Sequence, residues 1–373
     1  MENVPVTGND FPQIKPARLA HLDYLRVVCV MLILLCHFSY SFVQYNIGGF
    51  HNFLLAYNGF DSGRVGVCLF FMLSGSAMAL NYGEAPFRIG AFYKKRALRI
   101  YPTLYLSWLA FYVIKVWQKK AFFYNGSVLR MIWTVLGIDF YIGGVTPTYA
   151  IVGEWFTGTI IILYLLFPLV RFLYRKAYHA TFTVLCLLFL LHVYVRPLPH
   201  INGVDSIVTY LFYFYSGMVL IKERERIRKI PFVLSAGLLC GIFLIPNTWS
   251  IYANTYLISI LVYLLCAKLP QANGFAKKAV GAFGVYSYAV YLVHHQIIYL
   301  VVARYAGQFL SAGKKLALLC LIAALVAVVS VVVTKIAKLF TDLLLRIGSD
   351  KMTAEKVNVM KTYGKDEPER PKK

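Results

Sequence analysis

Ten runs of apolar residues, each near the roughly 20 positions a helix needs to cross a bilayer, alternate with short polar stretches along the chain. They lie at 25–43, 64–82, 99–117, 154–174, 180–195, 206–221, 231–246, 252–267, 283–303 and 315–340. This spacing predicts an all-α fold, a polytopic membrane bundle of about ten transmembrane helices. A shorter stretch, 128–142, contains Arg130 and Asp139. It is expected to enter the membrane and turn back, or to lie at the interface.

Composition supports the same class. Of 373 residues, 59% are hydrophobic and only 14% charged, against about half and a quarter in soluble domains. The net charge of +22 is spread in short clusters between apolar runs, which points to topology and anionic lipid contact and away from nucleic acid. With the N-terminus in the cytoplasm, 29 of the 38 Lys and Arg fall on that side, as the positive-inside rule requires. Nine remain on the outer face, Lys115, Lys119, Lys120 and Arg130 clustered among them. An even number of spans returns the C-terminus to the cytoplasm. The expected divisions are a cytoplasmic segment at 1–19, a membrane domain at 20–347 and a disordered basic tail at 348–373. About twenty polar residues precede the first run with no small-residue cleavage pattern after it, so that run is expected to remain as a helix. Seven cysteines fall within apolar runs without CxxC spacing and read as small core residues.

Ionisable residues inside these runs need a reason, because hydrocarbon penalises them. The first run carries Arg26 and His37, eleven residues apart. On a helix that is about 16.5 Å along the axis and three turns plus a small rotation, so both point the same way. Asp23, three residues before Arg26, is within pairing distance on the same side. The helix thus carries a polar stripe from the cytoplasmic interface to a histidine deep in the membrane, and a neutral imidazole is a natural general base. At 92–102, FYKKRALRIYP places Lys94, Lys95, Arg96 and Arg99 at the cytoplasmic start of the third run. Arg96 and Arg99, one turn apart, can converge on a phosphate-rich ligand; the two lysines read as positive-inside anchors. Ser74 and Gly75 sit mid-helix, where small residues mean close helix packing. Glu154 and Trp155 open the fourth run near the outer interface, as groups to orient a sugar or an imidazole and to anchor at the interface. His294 and His295 lie together in the ninth run, and being adjacent they are not expected to share one centre. Walker, GxSxG, HExxH and metal-like Cys/His patterns are missing, so ATP-driven, redox and metal chemistry have no support.

Taken in order, these motifs resemble the acyltransferase 3 family of integral membrane acyltransferases, from about Ala20 to Phe340. LDYLR followed by His37 is similar to that family's arginine, ten residues, histidine signature, GVCLFFMLSG to its second-helix motif and RALR to its RxxR pair. WFTGTIIILYLLFPL and SYAVYLVHH are similar to later segments, with His294 in the usual histidine place. The resemblance implies transfer of an acyl group, most often acetyl, from cytoplasmic acetyl-CoA to a hydroxyl of a cell-surface or lipid-linked glycan. It also implies catalytic positions at His37 and Arg26 and CoA contacts at Arg96 and Arg99. The chain departs from the family where many members carry a carboxylate one to two turns after the tryptophan. Here Gly158 to Ile162 occupy those positions, leaving any acidic role to Glu154 or elsewhere. A stand-alone membrane form without an SGNH-type domain is expected.

The working mechanism has His37 removing the acceptor proton, or carrying the acyl group transiently, with Arg26 held by Asp23 as an electrostatic stabiliser. Acceptor choice is expected in the outer loops 44–63 and 118–153, rich in Tyr, Phe, Asn and Gly. Two other classes remain: a transporter or flippase of a glycan precursor or small anion, and a scaffold, which the burial of Arg26 and His37 disfavours.

Overall fold

The computed structural model describes residues 19–48, 60–143, 145–195, 206–246 and 248–363. Lys15, Arg18 and most of the expected N-terminal segment lie outside them, as do 49–59 of the first outer loop and 364–373 of the tail. Among the described residues the chain is helical, with a lone bridge between Gly48 and Phe309. The helices are α1 (Ala20–Gln44), α2 (Ser62–Tyr82), α3 (Ile89–Lys119), α4 (Met131–Leu136), α5 (Asp139–Ile142), α6 (Glu154–Lys176), α7 (Tyr178–Val195), α8 (Ile207–Lys222), α9 (Arg224–Ile227), α10 (Phe232–Leu244), α11 (Ile251–Lys268), α12 (Gly274–Val302) and α13 (Ala312–Tyr363).

Eight of these are long and apolar enough to cross a membrane, and α8 and α10 are shorter apolar helices. Each of the ten expected runs falls on one of them. Their outward sides carry large apolar residues, among them Leu109, Leu169, Leu187 and Val233, all at least half exposed. That is the expected arrangement when the surrounding solvent is lipid. The protein is therefore a multi-pass membrane protein.

Polar residues turn inward instead. Ser76 donates to the Gly217 carbonyl at 2.9 Å and lies 3.1 Å from the Tyr263 hydroxyl, while Ser216 and Tyr256 pair at 3.1 Å. These bonds tie α2, α8 and α11 together. Glycines let α2 and α8 approach closest. A Cβ on Gly75 would stand 1.8 Å from the Phe214 carbonyl oxygen, and one on Gly217 would stand 1.9 Å from that of Met72. The close packing expected at Gly75 is thus a backbone-to-backbone crossing, while Ser74, its neighbour, points elsewhere.

The stretch at 128–142 forms a 3-10 turn (Val128–Arg130) followed by α4 and α5. Its flanks are fastened together: Asn125 donates to the Thr148 carbonyl and Tyr149 to the Gly126 carbonyl at 3.0 Å. Between them the chain descends along α3, whose Tyr101 and Tyr105 hydroxyls donate to the carbonyls of Leu136 and Val135 at 3.1 and 2.5 Å. Orphan carbonyls at the end of α4 are satisfied this way, and Gly137 turns the chain back with φ of 72°. The segment thus leaves and returns at one place, which suits a re-entrant or an interfacial stretch alike. Arg130, anomalous by charge, donates to the Asn125 carbonyl at 2.7 Å inside the same structure.

α13 continues to Tyr363, where the stretch MTAEKVNVMK is rich in good helix formers. One expectation needs correction. Cys240 and Cys320 are exposed, not core residues, because a small apolar thiol is equally at home against lipid.

Candidate active site

Two cavities enter the bundle from opposite ends, and they share no lining residue. The larger, about 650 Å³, lies at the end assigned to the cytoplasm, where α2 finishes and α3 begins, and its walls include Arg26, Ser74, Lys95, Arg96, Arg99 and Tyr164. The smaller, about 280 Å³, lies at the starts of α2, α6, α8 and α11, and its walls include Cys36, His37, Asp61, Arg64, Trp155 and Thr255.

The α1 stripe joins the two. Arg26 donates to Asp23 at 2.5 Å, and both sit against Gly284 of α12, where a Cβ would come within 3.1 Å of the Asp23 carboxylate and 3.6 Å of Arg26 Cδ. Three turns further, His37 meets the same helix. Its ring centroid lies 5.0 Å from that of His294 and 4.8 Å from that of His295, both edge-on. The two adjacent histidines do share a centre, contrary to expectation. They are about 100° apart on α12, and His37 is wedged between them. His294 is buried, with Nδ1 placed 3.0 Å from the Val290 carbonyl. Donation there leaves Nε2 as an acceptor, and neither it nor His37 Nδ1 has a partner among the described residues.

In the larger cavity Arg96 stands over the rings of Tyr82, Phe92 and Tyr164 at 5.6 to 5.7 Å. Its Nε is buried without a hydrogen-bond partner among the described residues. Arg99 lines the same cavity and is exposed to it. Ser74 faces this space as well, 2.9 Å from the Tyr164 hydroxyl. Sequence reasoning missed three contributors. Arg171 donates to the Tyr82 and Ala85 carbonyls at 2.6 and 2.7 Å, clamping the turn that aims α3. Lys338 and Thr334 of α13 complete the wall, and only the long-range return of α13 to α3 could have revealed them.

The fourth-run pair separates. Trp155 lines the outer cavity, while Glu154 is buried and its Oε1 accepts the backbone N–H groups of Ile151 and Val152 at 2.6 and 3.0 Å. The carboxylate holds the turn leading into α6. The described residues of the loop 118–153 contribute nothing to the outer cavity; their hydrogen bonds go to one another and to α3, α6 and α12. Phe70, Phe156 and Tyr291, with centroids 4.6 to 6.5 Å apart, form an aromatic layer in the wall of the larger cavity. Tyr291 in turn leads to His294, 5.7 Å away.

A buried imidazole cluster next to an arginine-lined cavity can accept a proton at one end and hold an anionic donor at the other. Neither a curated protein nor a solved structure matches this sequence. A family model described as an acyltransferase domain matches residues 19–335, which hold most of the described bundle, the whole outer cavity and most of the larger one, and the chain therefore belongs to the acyltransferase 3 family of membrane acyltransferases.

Proposed function

We propose that this acyltransferase moves an acetyl group from cytoplasmic acetyl-CoA to a hydroxyl of a cell-surface or lipid-linked glycan, working in the cytoplasmic membrane. The observation that carries this reading is the pair of cavities at opposite ends of one histidine-bearing helix. A donor and an acceptor can each enter from its own side without passing the other.

The donor cavity fits a phosphate-bearing ligand. Arg96 and Arg99 supply forked donors, Lys95 and Lys338 add positive charge, and the unsatisfied Nε of Arg96 is the kind of group a phosphate oxygen would complete. Arg26, fixed by Asp23, adds a further positive group toward the centre. The thioester arm would run along the α1 stripe toward the aromatic layer. At its end His37 takes the acceptor hydroxyl proton as that oxygen bonds to the thioester carbonyl carbon. Arg26, three turns from His37 on α1, helps hold the anionic donor. When the carbon–sulfur bond breaks, His37 returns the proton to the departing thiolate, and atoms and charge balance. His294 and His295 hold the His37 ring in place by edge contact.

Arg99→Ala is expected to raise KM for acetyl-CoA about 10- to 100-fold, the loss of one charged hydrogen bond at roughly 1.5–3 kcal/mol, with a much smaller change in kcat. Thiol release by purified protein at varied acetyl-CoA measures it; an unchanged KM would place the donor elsewhere. In cells, mass spectrometry of surface glycans with and without the gene should show an acetyl increment lost from one sugar. Counterflow of a glycan precursor in liposomes lacking any acyl donor would instead indicate a carrier.

A further inference from the structure

The outer cavity has a chemistry of its own, separate from the donor side. At about 280 Å³ it falls just below the range of about 300–1,000 Å³ typical of drug-sized ligands, so it takes one ring and not two. Its walls are aromatic on several sides. Trp155 and Tyr210 lie 5.9 Å apart between centroids, Tyr210 and Tyr213 6.3 Å, and Tyr252 adds a fourth ring from α11. Flat π faces of this kind suit the C–H faces of a saturated ring.

Polar groups in the cavity point to hydroxyls and not to charge. Thr255 is buried at 2% exposure, yet its hydroxyl has no partner among the described residues. Leaving such a group unsatisfied costs about 1–3 kcal/mol, and a ligand hydroxyl would remove that cost. Asp61 accepts from the Arg64 backbone N–H at 2.9 Å through Oδ1, and its Oδ2 lies 3.5 Å from Arg64 Nε. The Arg64 guanidinium also stands 5.1 Å from the Tyr252 ring centroid. The two formal charges in this cavity therefore neutralise each other. A carboxylate or ammonium brought in would be desolvated without a counter-charge.

We infer that the outer cavity is the acceptor subsite and holds one uncharged sugar ring, stacked among Trp155, Tyr210, Tyr213 and Tyr252 with a ring hydroxyl on Thr255. This deepens the proposed acyl transfer and depends on it for the ring's role as acceptor. Ring binding stands or falls independently. Selectivity is thereby assigned to residues of α2, α6, α8 and α11 instead of the outer loop 118–153.

Saturation-transfer NMR on the purified full chain in nanodiscs tests the inference without a donor. The probes are the methyl glycosides of glucose, galactose, N-acetylglucosamine and glucuronic acid. At least one uncharged glycoside should give ring-proton signals, and the glucuronide should bind more weakly than its glucose counterpart. Thr255→Val should raise the half-saturating concentration about five- to tenfold, the loss of one hydrogen bond of roughly 1 kcal/mol. Val67→Trp, which fills the cavity, should abolish the signal. Variants are compared only when they elute and melt as wild type does; if Val67→Trp fails that check, Thr255→Val decides. The inference is overturned if no uncharged glycoside binds, if the glucuronide binds more tightly, or if Thr255→Val leaves half-saturation unchanged. A parallel assay follows thiol release from acetyl-CoA with and without glycoside. Thiol release without glycoside binding would sink the subsite and spare acyl transfer. Binding without any thiol release would do the reverse.

Discussion

His37→Ala should lower acetyl transfer from acetyl-CoA by about 100- to 10,000-fold, the range that a positioned general base contributes, while leaving KM for acetyl-CoA close to wild type. The split follows from geometry. His37 lines the outer cavity and touches His294 and His295, whereas the arginines that would hold the donor line the other cavity. A variant lacking the base should still bind acetyl-CoA and fail at proton removal. Initial rates of thiol release by purified protein, with acetyl-CoA varied at fixed acceptor, separate the two parameters. Wild-type rates in His37→Ala would end the general-base assignment, and a large rise in KM with unchanged kcat would move His37 into donor binding. Arg99→Ala is the complementary case, moving KM and sparing kcat, so the pair together divides the reaction between the two ends of α1.

Gly75→Ala should disrupt the fold outright. Its Cβ would sit 1.8 Å from the Phe214 carbonyl oxygen, well inside van der Waals contact, and what it meets is backbone, which cannot rotate aside. Overpacking a well-filled interior costs about 1–3 kcal/mol when side chains can yield, and more when they cannot. Gly217→Ala meets the same obstacle from α8, 1.9 Å from the Met72 carbonyl oxygen. Both variants should show a large drop in thermal midpoint in detergent or no monodisperse protein at all. Gly237→Ala and Gly241→Ala provide the contrast, because a Cβ at either position meets nothing within 4 Å. Relief of glycine's helix penalty, about 0.5–1 kcal/mol, should leave those two neutral or slightly more stable. Gly75→Ala protein that melts like wild type would mean that α2 and α8 do not cross where the structure puts them.

The helix order was legible because lipid demands long apolar runs, and those runs are contiguous in sequence. The Asp23, Arg26 and His37 stripe was legible for the same reason: it depends only on helical periodicity, and all three residues are on one helix. What periodicity cannot report is which helices meet. Thr255 and Tyr252 lie within one apolar run, and only the packing of α11 beside α2 brings them to the outer cavity. Lys338 reaches the larger cavity only because α13 returns to α3. Arg171 caps the end of α2, a partner far away in sequence. The pairing of His294 with His295 around His37 went against simple helical spacing. That argument treats a helix as having one inward direction, and a ring wedged between two adjacent positions sees both. The hydrogen bonds of Glu154 were not legible, because a carboxylate at a helix start reads equally as a ligand for substrate and as an acceptor for loose backbone N–H groups.

The separation of the two cavities also bears on the cell's electrical balance. A channel continuous from one side to the other would short-circuit the membrane potential, at about 2.3 kcal/mol for each charge crossing 100 mV. Here the two cavities share no lining residue, so they are separate chambers and not one open channel. Under the transfer proposed above, only a small uncharged group needs to reach across, so an outward-facing hydroxyl would be modified with the donor kept inside and the insulation of the membrane left intact.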